Sequence, residues 1–101
     1  MNIAKMMQQA QRLQADMQAT QEELARKSVE VSVGGGKVTV TATGAGDVTA
    51  IKIDPELLDP NDVDFLEDLV LKGVQEAIAK GKQMTADEMK KLTGGMNIPG
   101  F

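Results

Sequence analysis

Cysteine and histidine are both absent from this 101-residue chain. Without cysteine there is no disulfide, no thiol nucleophile and no thiolate metal site. Without histidine the commonest general base and the commonest transition-metal ligand are missing as well. Trp and Tyr do not occur, and Phe65 and Phe101 are the whole aromatic content. Stacking of unpaired bases on aromatic rings is therefore disfavoured. No apolar run is long enough to cross a membrane, and the opening MNIAKMMQQAQR lacks a signal-peptide core. The expected setting is reduced, soluble and cytoplasmic, and the expected activity is binding rather than catalysis.

What is present suits one small globular unit. Apolar residues make up 42% of the chain, an ordinary share for a folded domain. A single domain is expected over residues 1–93, with 94–101 as a flexible tail. The formal net charge is −4, which on average opposes a polyanion. Its distribution matters more. Asp54, Glu56, Asp59, Asp62, Asp64, Glu67 and Asp68 form an acidic block with no base among them. Removing these seven from 15 acids leaves eight against 11 bases, so the remainder carries +3.

Periodicity predicts helix, three strands, helix. From Ile3 to Lys27 there is neither Gly nor Pro, and strong helix formers dominate. Ile3, Met6, Ala10, Leu13, Met17 and Leu24 recur at heptad spacing along one stripe. About 25 residues at 1.5 Å each make a helix of roughly 37 Å, longer than a compact 100-residue globule is wide. It must overhang, or pack its stripe on another chain as a dimer seam. The period then becomes two. Val29, Val31 and Val33 alternate with polar residues, Gly34-Gly35-Gly36 turns the chain, and Val38, Val40 and Ala42 return. After the turn Gly44-Ala45-Gly46-Asp47 the apolar phase slips between Val48 and Ile51, which a β-bulge near Ala50 would explain.

The second helix is expected to start at Asp59 as cap, with Pro60 at its first position and Asp62 completing a capping box. Val63, Leu66, Val70, Val74, Ala77, Ile78 and Gly81 form its apolar stripe. Leu66, Val70, Val74 and Ile78 are expected to cover the strand face of Val31, Val33, Val38 and Val40. The helix either runs on unbroken or breaks near Gly81, with a new capping box at Thr85 and Glu88.

Catalytic and metal motifs fail on context. Gly34-Gly35-Gly36-Lys37 lacks the G-x-x-x-x-G-K-[ST] pattern and precedes a strand rather than a helix. The acidic block has no D-x-[DN]-x-[DN]-G loop and is interrupted by Pro55 and Pro60, so it reads as solvated, helix-capping charge. The bases are more informative. Lys5, Arg12 and Arg26 share one heptad position, and Lys80, Lys82, Lys90 and Lys91 lie away from the second stripe. Lysines facing solvent are ordinary. Two same-sign edges on two helices, with the acids gathered elsewhere, fit contact with a duplex backbone.

In MMQQAQRLQADMQATQEEL, GGGKVTVTATGAGDVTAIKIDPELLDP, LEDLVLKGVQEAIAK and LTGGMNIPGF, the chain resembles the YbaB/EbfC family of nucleoid-associated proteins over nearly its whole length. The resemblance implies an α+β fold: an α-β-β-β-α protomer with a three-stranded antiparallel meander and long terminal helices, paired as a tight homodimer. It also implies binding of double-stranded DNA at the nucleoid with weak sequence preference, and neither cofactor nor enzymatic activity. The DNA-contacting positions it implies are Lys5, Arg12, Arg26, Lys27, Lys80, Lys82, Lys90 and Lys91. The alternative class is an interaction module that docks a recombination or replication protein through its Met- and Gln-rich helix.

Overall fold

Helix, three strands and helix are the observed order in the computed structural model, which describes residues 2–94. The elements are α1 (Ile3–Leu24), β1 (Ser28–Val33), β2 (Val38–Thr43), β3 (Val48–Ile53), a 3-10 turn (Pro55–Leu57) and α2 (Val63–Leu92). The tail expected over residues 94–101 lies outside the described residues from position 95 onward. The strands form one antiparallel meander in the order β1-β2-β3, so the protomer is α+β as expected.

Local chemistry accounts for most boundaries. Asn2 caps α1, its Oδ1 accepting from the Lys5 amide at 3.2 Å. The helix stops three residues short of Lys27 because of a tertiary contact. The Gly44 amide donates to the carbonyls of both Leu24 and Lys27 at 3.1 Å, which draws the chain out of the helix and into β1. Between β1 and β2, Gly34, Gly35 and Gly36 take φ of +63°, +69° and +86°, a left-handed run that only glycine adopts cheaply. The expected bulge is there. Thr41 pairs with Ala50 and Ala42 with Val48, leaving Thr49 as the extra residue. The slip brings Ile51 opposite Val40 and Ile53 opposite Val38, so both isoleucines join the inner face.

The start of α2 is later than expected. Asp54 caps the 3-10 turn through the Glu56 amide, at 2.9 Å, and Pro55 occupies its first position. Asp59 accepts from the Asn61 amide at 2.9 Å and so closes a turn rather than opening the helix. Asp62 is the residue before α2, and its side chain makes no capping bond. Proline therefore stiffens the approach to the helix.

No break occurs at Gly81; α2 runs through it to Leu92. Glycine is there for space. A Cβ at Gly81 would collide with the Thr43 carbonyl, and one at Gly73 would meet Val40 Cγ2 at 2.8 Å. Gly73, Ala77 and Gly81 make a seam of small residues at four-residue spacing, along which the helix sinks against β1 and β2. Val33, Val38, Val40, Ala42 and Ala77 are buried, with Val31, Leu57, Leu69, Val70 and Val74 packed around them. The contact face is thus turned from the expected Leu66–Ile78 row toward Leu69 and Gly73. That turn leaves β3 almost untouched by α2. Gly81→Val should lower unfolding free energy by about 2–3 kcal/mol, as overpacking does in a filled seam. Urea unfolding measures this, and an unchanged midpoint would mean that the helix can lift off the Thr43 carbonyl without loss.

Candidate nucleic-acid interface

The molecule is long and thin, 71 × 22 × 16 Å, with a radius of gyration of 19.3 Å against about 13 Å for a compact 100-residue globule. Its length comes from an arm. The C-terminal third of α2 leaves the sheet and packs antiparallel to the C-terminal half of α1, burying Leu24 and Met89 and half-burying Leu13, Met17, Thr20 and Leu92. The first three turns of α1 extend further, and there Ile3, Met6 and Met7 are 69%, 53% and 59% exposed. Of the heptad stripe, only its second half is therefore used within the protomer.

Lys5, Gln8, Gln9 and Arg12 line one continuous face of this overhang. Their spacing of three, four and seven residues stacks them along the helix axis. The glutamines supply amide donors between the two cations and were not singled out by charge alone; the i, i+3, i+4, i+7 spacing would have found them. Lys5 sits in the first turn of α1, which holds no acid, so its charge adds to the positive end of the helix dipole instead of relieving it. Helix stability does not explain that lysine. Lys90 and Lys91, in the last turn of α2, do complement the dipole there.

The other sequence-predicted bases are placed less uniformly. Arg26 and Lys27 lie in the turn after α1, so Arg26 does not share the helical edge of Lys5 and Arg12. Lys80 and Lys82 straddle the buried Gly81 instead of facing away from the sheet. Lys80 Nζ donates to the Glu30 carbonyl on β1 at 3.0 Å, and the Lys82 stem lies against Gly46 on the other side. Lys27 pairs with Glu23 at 3.7 Å and Lys91 with Glu88 at 3.0 Å, both exposed pairs that bind their partners weakly. Among the described residues Lys5, Arg12, Arg26, Lys82 and Lys90 make no ion pair.

Charge is separated along the long axis. Residues 2–27 and 80–93 hold eight bases and five acids, a net of +3, whereas residues 28–79 hold three bases and ten acids, a net of −7. Twenty-six residues of α2 put Asp64, in its acidic first turn, roughly 39 Å from Lys90. That is several times the Debye length of about 10 Å at 0.1 M salt. The acidic end therefore scarcely reduces the potential at the arm. Among the described residues no group of three or more acidic side chains forms a metal-ion site, and no helix is long and apolar enough to cross a membrane.

The family model of the YbaB/EbfC DNA-binding family matches residues 1–96. The chain belongs to this family. It is 52% identical to a nucleoid-associated protein of Akkermansia muciniphila over 99 residues, 98% of this chain and 95% of that protein. A nucleoid-associated protein of Acetivibrio thermocellus is 51% identical over 101 residues, 99% of this chain and 89% of the other. Among solved structures, an uncharacterized protein from Helicobacter pylori superposes with a TM-score of 0.63 at 17% identity, covering 77% of this chain and 90% of its own. That likeness speaks for the fold. The family is one of DNA-binding proteins, which supports DNA as the partner.

Proposed function

We propose that two copies of this chain form a homodimer that holds double-stranded DNA between its helical arms, at the nucleoid, through phosphate contacts and with weak sequence preference. The observation that carries this reading is the overhanging face of Lys5, Gln8, Gln9 and Arg12, on a stretch (residues 2–15) that holds two bases and no acid. Phosphates attract such a face whatever the base sequence, because backbone contacts carry no direct sequence information. Lys82 and Lys90 extend it toward the base of the arm, and Lys27 and Lys91 can exchange their exposed acids for phosphate. Filter binding to several unrelated duplexes tests the reading. Similar affinities are expected. Absence of binding would favour the alternative, a protein-docking module, which the exposed Ile3, Met6 and Met7 would suit.

A second copy also answers an unfinished core. On the inner face of β3, Val48, Ile51 and Ile53 remain 37%, 43% and 37% exposed. Beside them Leu66, Val70, Leu71 and Val74 line a shallow apolar trough with Ile53. A two-fold axis through this trough would lay the flank of each α2 over the partner's β3, a self-complementary contact. An apolar patch of this kind is more than a soluble monomer usually leaves open. Leu24, expected in the dimer seam, is 3% exposed within its own protomer. The contact is therefore assigned to β3 and α2, leaving Ile3, Met6 and Ala10 on the free arm. Leu71 is 56% exposed and projects into the trough. Leu71→Asp should leave the helical circular dichroism intact while light scattering falls from twice the chain mass to the monomer. A mutant that stays dimeric would move the contact back to α1.

A further inference from the structure

The arm joins the body at one buried turn. Thr43 and Gly44, at the end of β2, are both enclosed. The Gly44 amide donates to Leu24 and Lys27 of the α1 terminus at 3.1 Å, and its carbonyl accepts from Thr85 Oγ1 of α2 at 2.8 Å. Among the described residues Gly44 is the one residue hydrogen-bonded to both helices of the arm. The fit is tight. A Cβ at Gly44 would collide with the Leu24 carbonyl and come within 2.6 Å of Thr85 Oγ1, so a side chain there would drive a wedge between the two helices. Thr43 holds the turn in place: its Oγ1 accepts from the Ala45 and Asp47 amides at 3.3 Å, and its amide donates to the Asp47 carbonyl at 2.8 Å. Gly81, one turn before Thr85, touches the Thr43 carbonyl from the other side.

We infer that the Thr85 hydroxyl and Gly44 form a clasp that sets the direction of the DNA-binding arm, with Thr85 acting as a positioning residue at the pivot. Thr85 does not reach the phosphate-contacting face; it acts on that face through a lever. Nineteen residues of helix separate Leu24 from Lys5, a length of about 28 Å. A 10° change at the pivot moves Lys5 by about 5 Å, more than the 3.4 Å rise between successive phosphates on one strand. Along α2, Thr85 stands between the sheet-bound seam and the free arm, where a helix without a bonded partner could swing. Lys80, the other α2 side chain bonded to the sheet, holds on the body side of this pivot and at the opposite edge, β1. Thr85 could instead have capped a new helix, as its position three residues before Glu88 suggests. Its hydroxyl bonds a carbonyl 41 residues away instead.

The inference rests on the arms being the DNA-binding element, and its test separates the two. The chain has no cysteine, so Gln11→Cys and Glu30→Cys accept a pair of spin labels at exposed sites on the arm and on β1 without background. Labelled protein is diluted tenfold into unlabelled protein, so that distances within one protomer dominate. A single narrow distance is expected in the otherwise unchanged chain and in Thr85→Ser, which keeps the hydroxyl. Thr85→Val, which keeps the shape and loses the hydroxyl, should give a broadened or shifted distance with an unchanged circular dichroism spectrum. In unlabelled proteins its affinity for random duplex DNA at 0.1 M salt should fall about tenfold, the equivalent of one phosphate contact out of register, and Thr85→Ser should restore it. An unchanged distance in Thr85→Val overturns the clasp. A changed distance with unchanged affinity overturns its positioning role. Should the parent chain itself fail to bind DNA, the functional reading falls and the distances still decide the clasp.

Discussion

Raising the salt from 50 to 200 mM is expected to lower affinity for a random duplex by about 250- to 1000-fold. The figure follows from neutralising about four to six phosphates, which gives a log–log slope of roughly −4 to −5 over a fourfold change in salt. A dimer supplies enough cations for this, because each protomer brings Lys5, Arg12, Lys82 and Lys90 without ion-pair partners among the described residues. Lys5→Glu with Arg12→Glu should weaken binding by at least about a hundredfold and flatten the slope, since four contacts per dimer are lost. The melting temperature should hardly move. Both side chains are exposed on the overhang, and among the described residues neither makes an ion pair or a side-chain hydrogen bond. The loss should be alike on unrelated duplexes. A flat salt response, or equal affinity of mutant and parent, would point to the protein-docking alternative.

Ala77→Asp should cost about 4 kcal/mol or more, enough to remove most of the stability of a domain this small. Ala77 is fully buried on the sheet, beside Val38, Val40 and Ala42. A carboxylate there would lose its water, and the valine side chains around it offer neither a cation nor a donor. Ala79→Asp is the matched control. It lies two residues on along the same helix, on the solvent side, and should change stability by no more than about 0.5 kcal/mol. Denaturant titration of both variants decides the matter. Comparable midpoints for the two would mean that the buried seam of α2 is wrongly placed.

Much of this architecture is legible in the residue order, because it is written at short range. A stretch without Gly or Pro and with heptad spacing makes α1. Valines alternating with polar residues make β1 and β2, and three glycines in a row make the turn between them. The phase slip from Val48 to Ile51 announces the bulge at Thr49, since side chains alternate with a period of two and an extra residue must reverse them. The segregation of acid from base is equally local, and so is the repeat that stacks Lys5 over Arg12. The missing histidine and cysteine exclude several chemistries before any fold is considered.

Tertiary structure decided what depends on how closely distant segments approach. Sequence periodicity describes an apolar stripe on α2 but not which edge of it meets the sheet. The seam of Gly73, Ala77 and Gly81 chose that edge, because small residues allow the helix to come nearest to β1 and β2. The consequence is the uncovered inner face of β3, which no local pattern reveals. Gly81 looks like a helix breaker when its neighbours along the chain are considered, and proves to be a contact point when Thr43 is brought against it. Arg26 falls off the helical edge because Gly44, 18 positions later, takes the carbonyls that would have continued α1. The Thr85 hydroxyl finds its acceptor across 41 residues. Element identity and charge placement were therefore determined by the sequence alone, as properties of neighbouring residues. Helix rotation, arm direction and the open face were settled only in three dimensions, where steric fit between remote backbone atoms outweighs the average hydrophobic pattern.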